Sequence, residues 1–241
     1  MEHKNHLKKA VLLLTLLGLL YTGITSVLGV QGATSISLGQ SSRANLTNYS
    51  SSASTAVQAG NVTELNISGQ AITTHWAGFY GEISGNITLE NANGDVFYDW
   101  TGLNALVGEV FASPDSTVQW DGIGCANASE ISSIESSLGI SATDADNIAS
   151  TYSSNSHPSF DVGTVTGITG CNSTNTYVNS GPSSSAFYQI LLTDRNGTPV
   201  YTTLINESTT GFDGNTHDFQ LLVGESDAAG TTTLYFYIEL D

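Results

Sequence analysis

Residues 189–203 read QILLTDRNGTPVYTT, and residues 86–100 read NITLENANGDVFYDW. In each, two apolar or β-branched runs flank an Asn-Gly pair, Asn196-Gly197 in the first and Asn93-Gly94 in the second. Asn and Gly tolerate the positive φ of a tight turn, so both stretches predict β-hairpins. The two align at an offset of 103, which matches Ile87 with Ile190, Leu89 with Leu192 and Tyr98 with Tyr201. A duplicated β unit would leave such an echo, and so would shared hairpin chemistry, which is the simpler account.

The same alternation continues outward. In TLYFYIEL (233–240), Leu234, Phe236, Ile238 and Leu240 fall on one face and Tyr235, Tyr237 and Glu239 on the other. Phe219, Leu221 and Val223 alternate likewise in HDFQLLV (217–223). A period of two marks half-buried strands. The chain has 241 residues, 39% of them hydrophobic, enough for one large β domain or two small ones. The expectation is an all-β fold: an antiparallel β-sandwich-like domain over 61–241, of about ten strands, with a short helical insertion near 127–152.

That insertion is legible from its ends. Asn127 and Glu130 form a capping-box pair, Ile131, Ile134 and Leu138 recur at helical spacing, and Gly139 can close the helix. A second short helix is expected around Asp144–Tyr152, with Ile148 inward. Cys125 and Cys171, the two cysteines of the chain, bracket the segment. In an exported protein they suggest one disulfide closing a loop of about 46 residues; the other reading is two inert buried thiols.

Charge limits the partners. The net charge is −17, and three of the five basic residues, Lys4, Lys8 and Lys9, precede the apolar run at the N-terminus. Beyond it only Arg43 and Arg195 face the acidic residues. Such a surface repels phosphate backbones and anionic headgroups, which excludes nucleic acid as a partner.

Ala10–Val30 is nearly uncharged, densest in VLLLTLLGLLY (11–21), the length of a signal-peptide core. Val30 and Gly32 put small residues at −3 and −1 of a cut before Ala33. Residues 1–32 therefore read as a signal peptide or a membrane helix; if uncleaved, 10–30 is the one membrane contact. A third reading takes Lys9-Ala10-Val11 as the processing site of an archaeal type IV pilin-like protein, although the glycines within the run interrupt the continuous helix such a core wants. All three readings export the domain to an extracellular or cell-surface location.

Residues 33–60 are rich in Ser, Thr, Asn, Ala and Gly and read as a flexible tether. Within it Ile36 and Leu38 alternate with small polar residues and could add as a donor strand. Asn-x-Ser/Thr occurs at Asn45, Asn48, Asn61, Asn66, Asn86, Asn127, Asn172, Asn196 and Asn206. Chance in this composition gives roughly four or five, so the set fits a glycosylated exported chain.

No catalytic signature emerges. His75, His157 and His217 stand in no metal-binding spacing, and Gly81-Glu82-Ile83-Ser84-Gly85 has the wrong spacing for a nucleophile elbow. The pairs Asp144 with Asp146 and Asp213 with Asp218 have the residue types of glycoside hydrolysis, but in an acidic chain they read as solvated surface. Asn91-x-Asn93-x-Asp95 and Asp213-x-Asn215 space oxygen ligands as calcium loops do, although the first lacks the distal Glu and is already a hairpin turn. No cofactor and no enzymatic activity is expected.

The run VQAGNVTELNISGQAITTHWAGFYGEISGNITLENANGDVFYDW (57–100), with GEVFA (108–112), Tyr201–Leu204, GFDG (211–214), DFQLLV (218–223) and YFYIEL (235–240), resembles exported archaeal cell-surface proteins of β-sandwich type. The resemblance covers most of 57–241 and implies an archaeal surface context without implying any active residue. Some archaeal surface filaments join β-sandwich subunits through an exchanged N-terminal strand, a parallel at the level of fold alone. Two functions are expected on these grounds. One is a filament or coat-associated subunit whose partners are other surface proteins or copies of itself. The other is an adhesin or glycan-binding module that uses Trp76, Tyr80, Trp100 or Trp120 as stacking platforms, against a core role for each.

Overall fold

The computed structural model describes residues 29–43, 54–69, 71–85, 87–100, 107–182, 185–226 and 231–240. The apolar segment up to residue 28, and Asn45, Asn48 and Asn86, lie outside the described residues. The fold is all-β and antiparallel, with a helical insertion. In chain order the strands are β1 (Gln31–Gly32), β2 (Trp76–Gly81), β3 (Ile87–Glu90), β4 (Val96–Trp100), β5 (Gly108–Ser113), β6 (Gly124–Cys125), β7 (Phe160–Val162) and β8 (Val165–Ile168). They continue as β9 (Ser173–Asn175), β10 (Tyr188–Thr193), β11 (Pro199–Leu204), β12 (Thr209–Thr210), β13 (Thr216–His217), β14 (Phe219–Gly224) and β15 (Tyr235–Leu240).

The main sheet runs β1-β15-β5-β11-β10-β6, with β9 also paired to β10. Its centre is the quoted hairpin β10–β11, in register from Gln189↔Thr203 to Thr193↔Pro199. Both faces of this sheet are covered, so IleLeuLeu at 190–192 is continuously buried rather than alternating. On one face Val110, Ala112, Leu191 and Tyr201 meet Leu221 and Val223 of β14, Ile131 and Ile134 of the helix Ala128–Leu138, and Ile148 and Tyr152. On the other face Phe111, Ile190, Leu192 and Val200 meet Phe160, Val162 and Ile168 of the β7–β8 hairpin. Each fully buried aliphatic here contributes about 1.5–3 kcal/mol of apolar burial.

The opposing layer on the first face is the two-stranded sheet β2–β14. The inner edge of β14 is closed by side chains instead of a third strand. Gln189, fully buried, donates from Nε2 to the Gln220 carbonyl (2.6 Å) and accepts the Leu222 N–H on Oε1 (2.7 Å). The Tyr152 hydroxyl donates to the Leu222 carbonyl (3.1 Å). A strand edge left bare at such depth would strand polar groups away from water, and these two residues satisfy it.

The helical insertion forms as expected. Asn127 Oδ1 accepts the Ser129 and Glu130 N–H groups, and Glu130 takes the Asn127 N–H at 2.8 Å, a complete capping box. Gly139 ends the helix at φ 72°. The second helix is shorter than expected, Ile148–Thr151, with Ile148 fully buried. Cys125 and Cys171 are joined in a disulfide with Cα atoms 4.9 Å apart. It links β6 to Cys171, two residues before β9, so it staples two short strands that share one edge of β10.

The hairpin turns differ from the tight Asn-Gly pattern in one respect. Gly94 and Gly197 have positive φ, and Asn93 and Asn196 do not. Asn91 and Asp194 each accept two backbone N–H groups, from Asn93 and Asp95 and from Asn196 and Thr198, which builds a wider turn with the same geometry in both hairpins. Side-chain capping by the residue before the turn makes a second left-handed residue unnecessary. The surroundings of the two hairpins differ sharply: β10–β11 is central, whereas β4 is exposed along its whole length.

The chain enters the sheet system earlier than the Ser/Thr-rich segment suggests. Gln31 and Gly32 pair with Ile238 and Tyr237, the Ala33 N–H donates to the Phe236 carbonyl (3.1 Å), and Val30 packs on the second core. The expected cut before Ala33 would fall just after β1. Residues 34–43 and 54–69 lie outside helices and strands and are almost wholly exposed, as their composition dictates. Ile36 and Leu38, the expected donor strand towards a neighbour, are exposed at 56% and 89%, and within this chain Gln31–Gly32 takes the β15 edge. Among the described residues no helix is long and apolar enough to cross a membrane.

Candidate functional site

Two surfaces combine exposed groups with a fixed frame: the β15 edge and an aromatic patch around His217. On its inner side β15 pairs with β5 over its whole length, from Tyr235↔Ser113 to Leu240↔Gly108. On its outer side the described residues cover it only at Phe236–Ile238, through β1 and Ala33. An edge with open backbone groups is a template for strand addition, and proteins limit that by turning charge inward. Here Glu239 is buried and accepts the Gly163 N–H on both oxygens (3.0 and 2.9 Å). Its cross-strand partner is Glu109, also buried. Neither carboxylate was expected inside, since a single Glu in a strand leaves no mark in the sequence.

The second surface is built on β2 and the loop joining β12 to β14. Tyr80, 48% exposed, meets Phe212, 40% exposed, edge-on at 4.9 Å, and the His217 ring at 4.8 Å. Gln220 holds the loop in place, taking the Phe212 N–H on Oε1 (2.7 Å) and donating to Thr176 Oγ1 (2.6 Å) and the Tyr177 carbonyl (3.1 Å). Asp213 lies 3.0 Å from His217 Nε2 and accepts from the Asn215 side-chain amide at 2.8 Å. These contacts, the Asn215 amide first, hold its carboxyl down at about 2. The depressed value means the loop contacts are fully present above the ordinary carboxylate range and are lost as pH falls towards about 2. The Asn215 and His217 backbone resonances are therefore expected to shift between roughly pH 4 and pH 2 and to stay still in Asp213→Asn. A wild-type loop unchanged at pH 2 would contradict this.

The remaining candidates scatter. His75 Nδ1 stands 3.2 Å from Asp146, whose other oxygen accepts from Thr73 Oγ1 at 2.5 Å. The Thr73 hydroxyl, and to a lesser degree His75, keep the Asp146 carboxyl below its ordinary value despite burial. With Trp76 Nε1 donating to the Asp146 carbonyl (2.7 Å), the group ties the entry to β2 onto the insertion. Asp144 turns away and accepts the Ser141 N–H (2.8 Å). Asp218 is buried and accepts from Ile83 N–H and Ser208 N–H, apart from the work Asp213 does. His157 Nε2 accepts the Cys171 N–H (2.9 Å), which places the ring proton on Nδ1, facing the Pro158 carbonyl. Asn91 donates from Nδ2 to Asp95 (2.8 Å), so two of the three oxygen-bearing residues of that spacing are engaged with each other.

Of the proposed stacking residues, Trp76 and Trp120 pack against the two cores. Trp120 sits between Phe111 and Tyr237 at 5.1 and 5.0 Å. Tyr80 and Trp100 are exposed, Trp100 beside Tyr98 on the β3–β4 hairpin. Among the described sequons, Asn61, Asn66, Asn127 and Asn196 are exposed, and Asn172 and Asn206 are half-buried.

The chain matches no family model, and no curated protein or solved structure is similar to it at a significant level.

Proposed function

We propose that this chain is an exported, non-enzymatic component of an archaeal cell surface, a filament or coat-associated subunit that assembles with copies of itself through the β15 edge. The observation that carries the reading is the short cover on that edge. β1 contributes two residues, and the exposed residues 34–43 and 54–69 after it let the same strand reach a neighbour. The reading requires that Gln31–Gly32 stay on the mature chain, without a cut before Ala33. Strand exchange between identical copies replaces each native contact by its equivalent, so it costs little beyond association. Loop closure grows slowly with length, so a long connection favours the cis arrangement only weakly. The Cys125–Cys171 disulfide fits an oxidising compartment, and the sequons fit export.

The test is Ala33→Pro, which removes the N–H that bonds Phe236 and leaves the cores untouched. The expected result is a folded monomer by light scattering where the parent forms larger species. Assemblies that persist unchanged would rule out this edge. A second reading, a glycan-binding module, is favoured by the exposed Tyr80–Phe212 pair beside Asp213, since aromatic faces with adjacent polar groups suit sugar rings. Tyr80→Ala with Phe212→Ala separates the two: sugar retention is lost on the second reading, and assembly is unaffected on the first.

A further inference from the structure

We infer that N-linked glycans are carried at Asn61, Asn66 and Asn127 and are absent from Asn172 and Asn206. This rests on the export reading, since sequons are modified only in that route. The chemistry is a substitution at the sugar. Asn Nδ2 attacks C1 of a sugar activated as a lipid-linked phosphate, the C1–O bond breaks with its electron pair leaving on the phosphate, and Nδ2 gives up one proton. No oxidant or reductant is involved. The requirement on the protein is a free Nδ2 with room for a ring beside it.

Asn127 meets that requirement without cost to the fold. Its capping work is done by Oδ1, which accepts from Ser129 N–H (3.0 Å), Glu130 N–H (3.1 Å) and Ser129 Oγ (2.6 Å). The side chain is exposed, and its bonds to described residues are all made through Oδ1, so a glycan on Nδ2 breaks none of them. Asn61 and Asn66 lie in the exposed segment ahead of β2.

Asn172 and Asn206 use the other end of the amide. Asn172 Nδ2 donates to the carbonyl of the fully buried Tyr152 (3.0 Å), and Ser173 beside it is buried in β9. Asn206 Nδ2 donates to the Ala186 carbonyl (2.7 Å), and its sequon is pinned by Ser208, which has φ 51° and bonds Asp218. A glycosylated amide keeps one N–H for such a bond, so the obstacle is steric: each side chain is half-buried and its nitrogen is held within 3.0 Å of backbone, which crowds a sugar ring beside it. Added after folding, it finds no access. Added before folding, it crowds the entry to β9 or the Asn206–Ser208 turn that bonds Asp218, so the folded population lacks it either way.

Glycopeptide mass spectrometry of the folded protein from its native producer tests this. The expected result is one glycan mass at each of Asn61, Asn66 and Asn127, with unmodified Asn172 and Asn206. A glycan on Asn172 or Asn206, or a bare Asn127 on a chain glycosylated elsewhere, would overturn the inference. A chain with no sugar but an intact Cys125–Cys171 bond overturns it while leaving export standing. A chain with no sugar and reduced thiols brings down both. Asn127→Gln is expected to remove one glycan mass, whereas Asn172→Gln lowers the melting temperature with no change in glycan mass.

Discussion

Gln189→Leu is expected to destabilise the domain by roughly 2–5 kcal/mol, although it exchanges a polar core residue for an apolar one of similar size. The amide it removes bonds two polar groups on the inner edge of β14, the Gln220 carbonyl and the Leu222 N–H. Both would then be stranded in the dry space between the sheets, at about 1–3 kcal/mol apiece. The gain in apolar burial offsets only part of that. Denaturant unfolding of wild type and variant reads the difference directly, and a loss under 1 kcal/mol would mean that water enters and replaces the amide. Because the lesion lies between layers, the β2–β14 sheet should also lose amide-exchange protection before the main sheet does.

Opening the disulfide by Cys125→Ser with Cys171→Ser is expected to cost about 4 kcal/mol by loop-closure reasoning for a separation of 46 residues. The effect should be local as well as global. β6 and β9 hold one edge of β10 by short pairings, Leu192↔Cys125 with Thr193↔Gly124, and Ile190↔Ser173 with its neighbours. Without the staple these strands have little to keep them in line, and the helical insertion between them is freed at both ends. A midpoint shift in urea that corresponds to less than 1 kcal/mol would show that the packing of Ile131, Ile134, Ile148 and Tyr152 alone holds the insertion in place.

These two expectations bear on the proposed role. A subunit that exposes a strand edge in a filament or coat needs a body that does not open when its edge is exchanged. Here the inner edge of the small sheet is closed by Gln189 and Tyr152, and the open edge of β10 is closed by stapled strands. Among the described residues the outer edge of β15 is covered only at Phe236–Ile238, and on the proposed role that is the edge that makes the contact.

What the sequence by itself determined is the set of features governed by neighbours a few residues apart. The two Asn-Gly hairpins form where they were read, and the capping box at Asn127 with Gly139 at the other end delimits the helix. Two cysteines leave one pairing, and it is made. These follow from short-range hydrogen bonding and backbone preference, which act wherever the segment finally lies.

Only the tertiary structure decided which of two similar hairpins is central and which is exposed, although Ile87–Tyr98 and Ile190–Tyr201 read alike. It also turned Gln189 inward to a strand 31 residues away, and Tyr152 to one 70 residues away. It set Asn127 apart from Asn172 by which end of the amide is occupied, and brought Gln31–Gly32 beside the last strand of the chain. Each of these depends on what is packed opposite a residue. Burial and polar satisfaction are properties of the assembled layers, and a local pattern of residues carries no record of the surface it will meet.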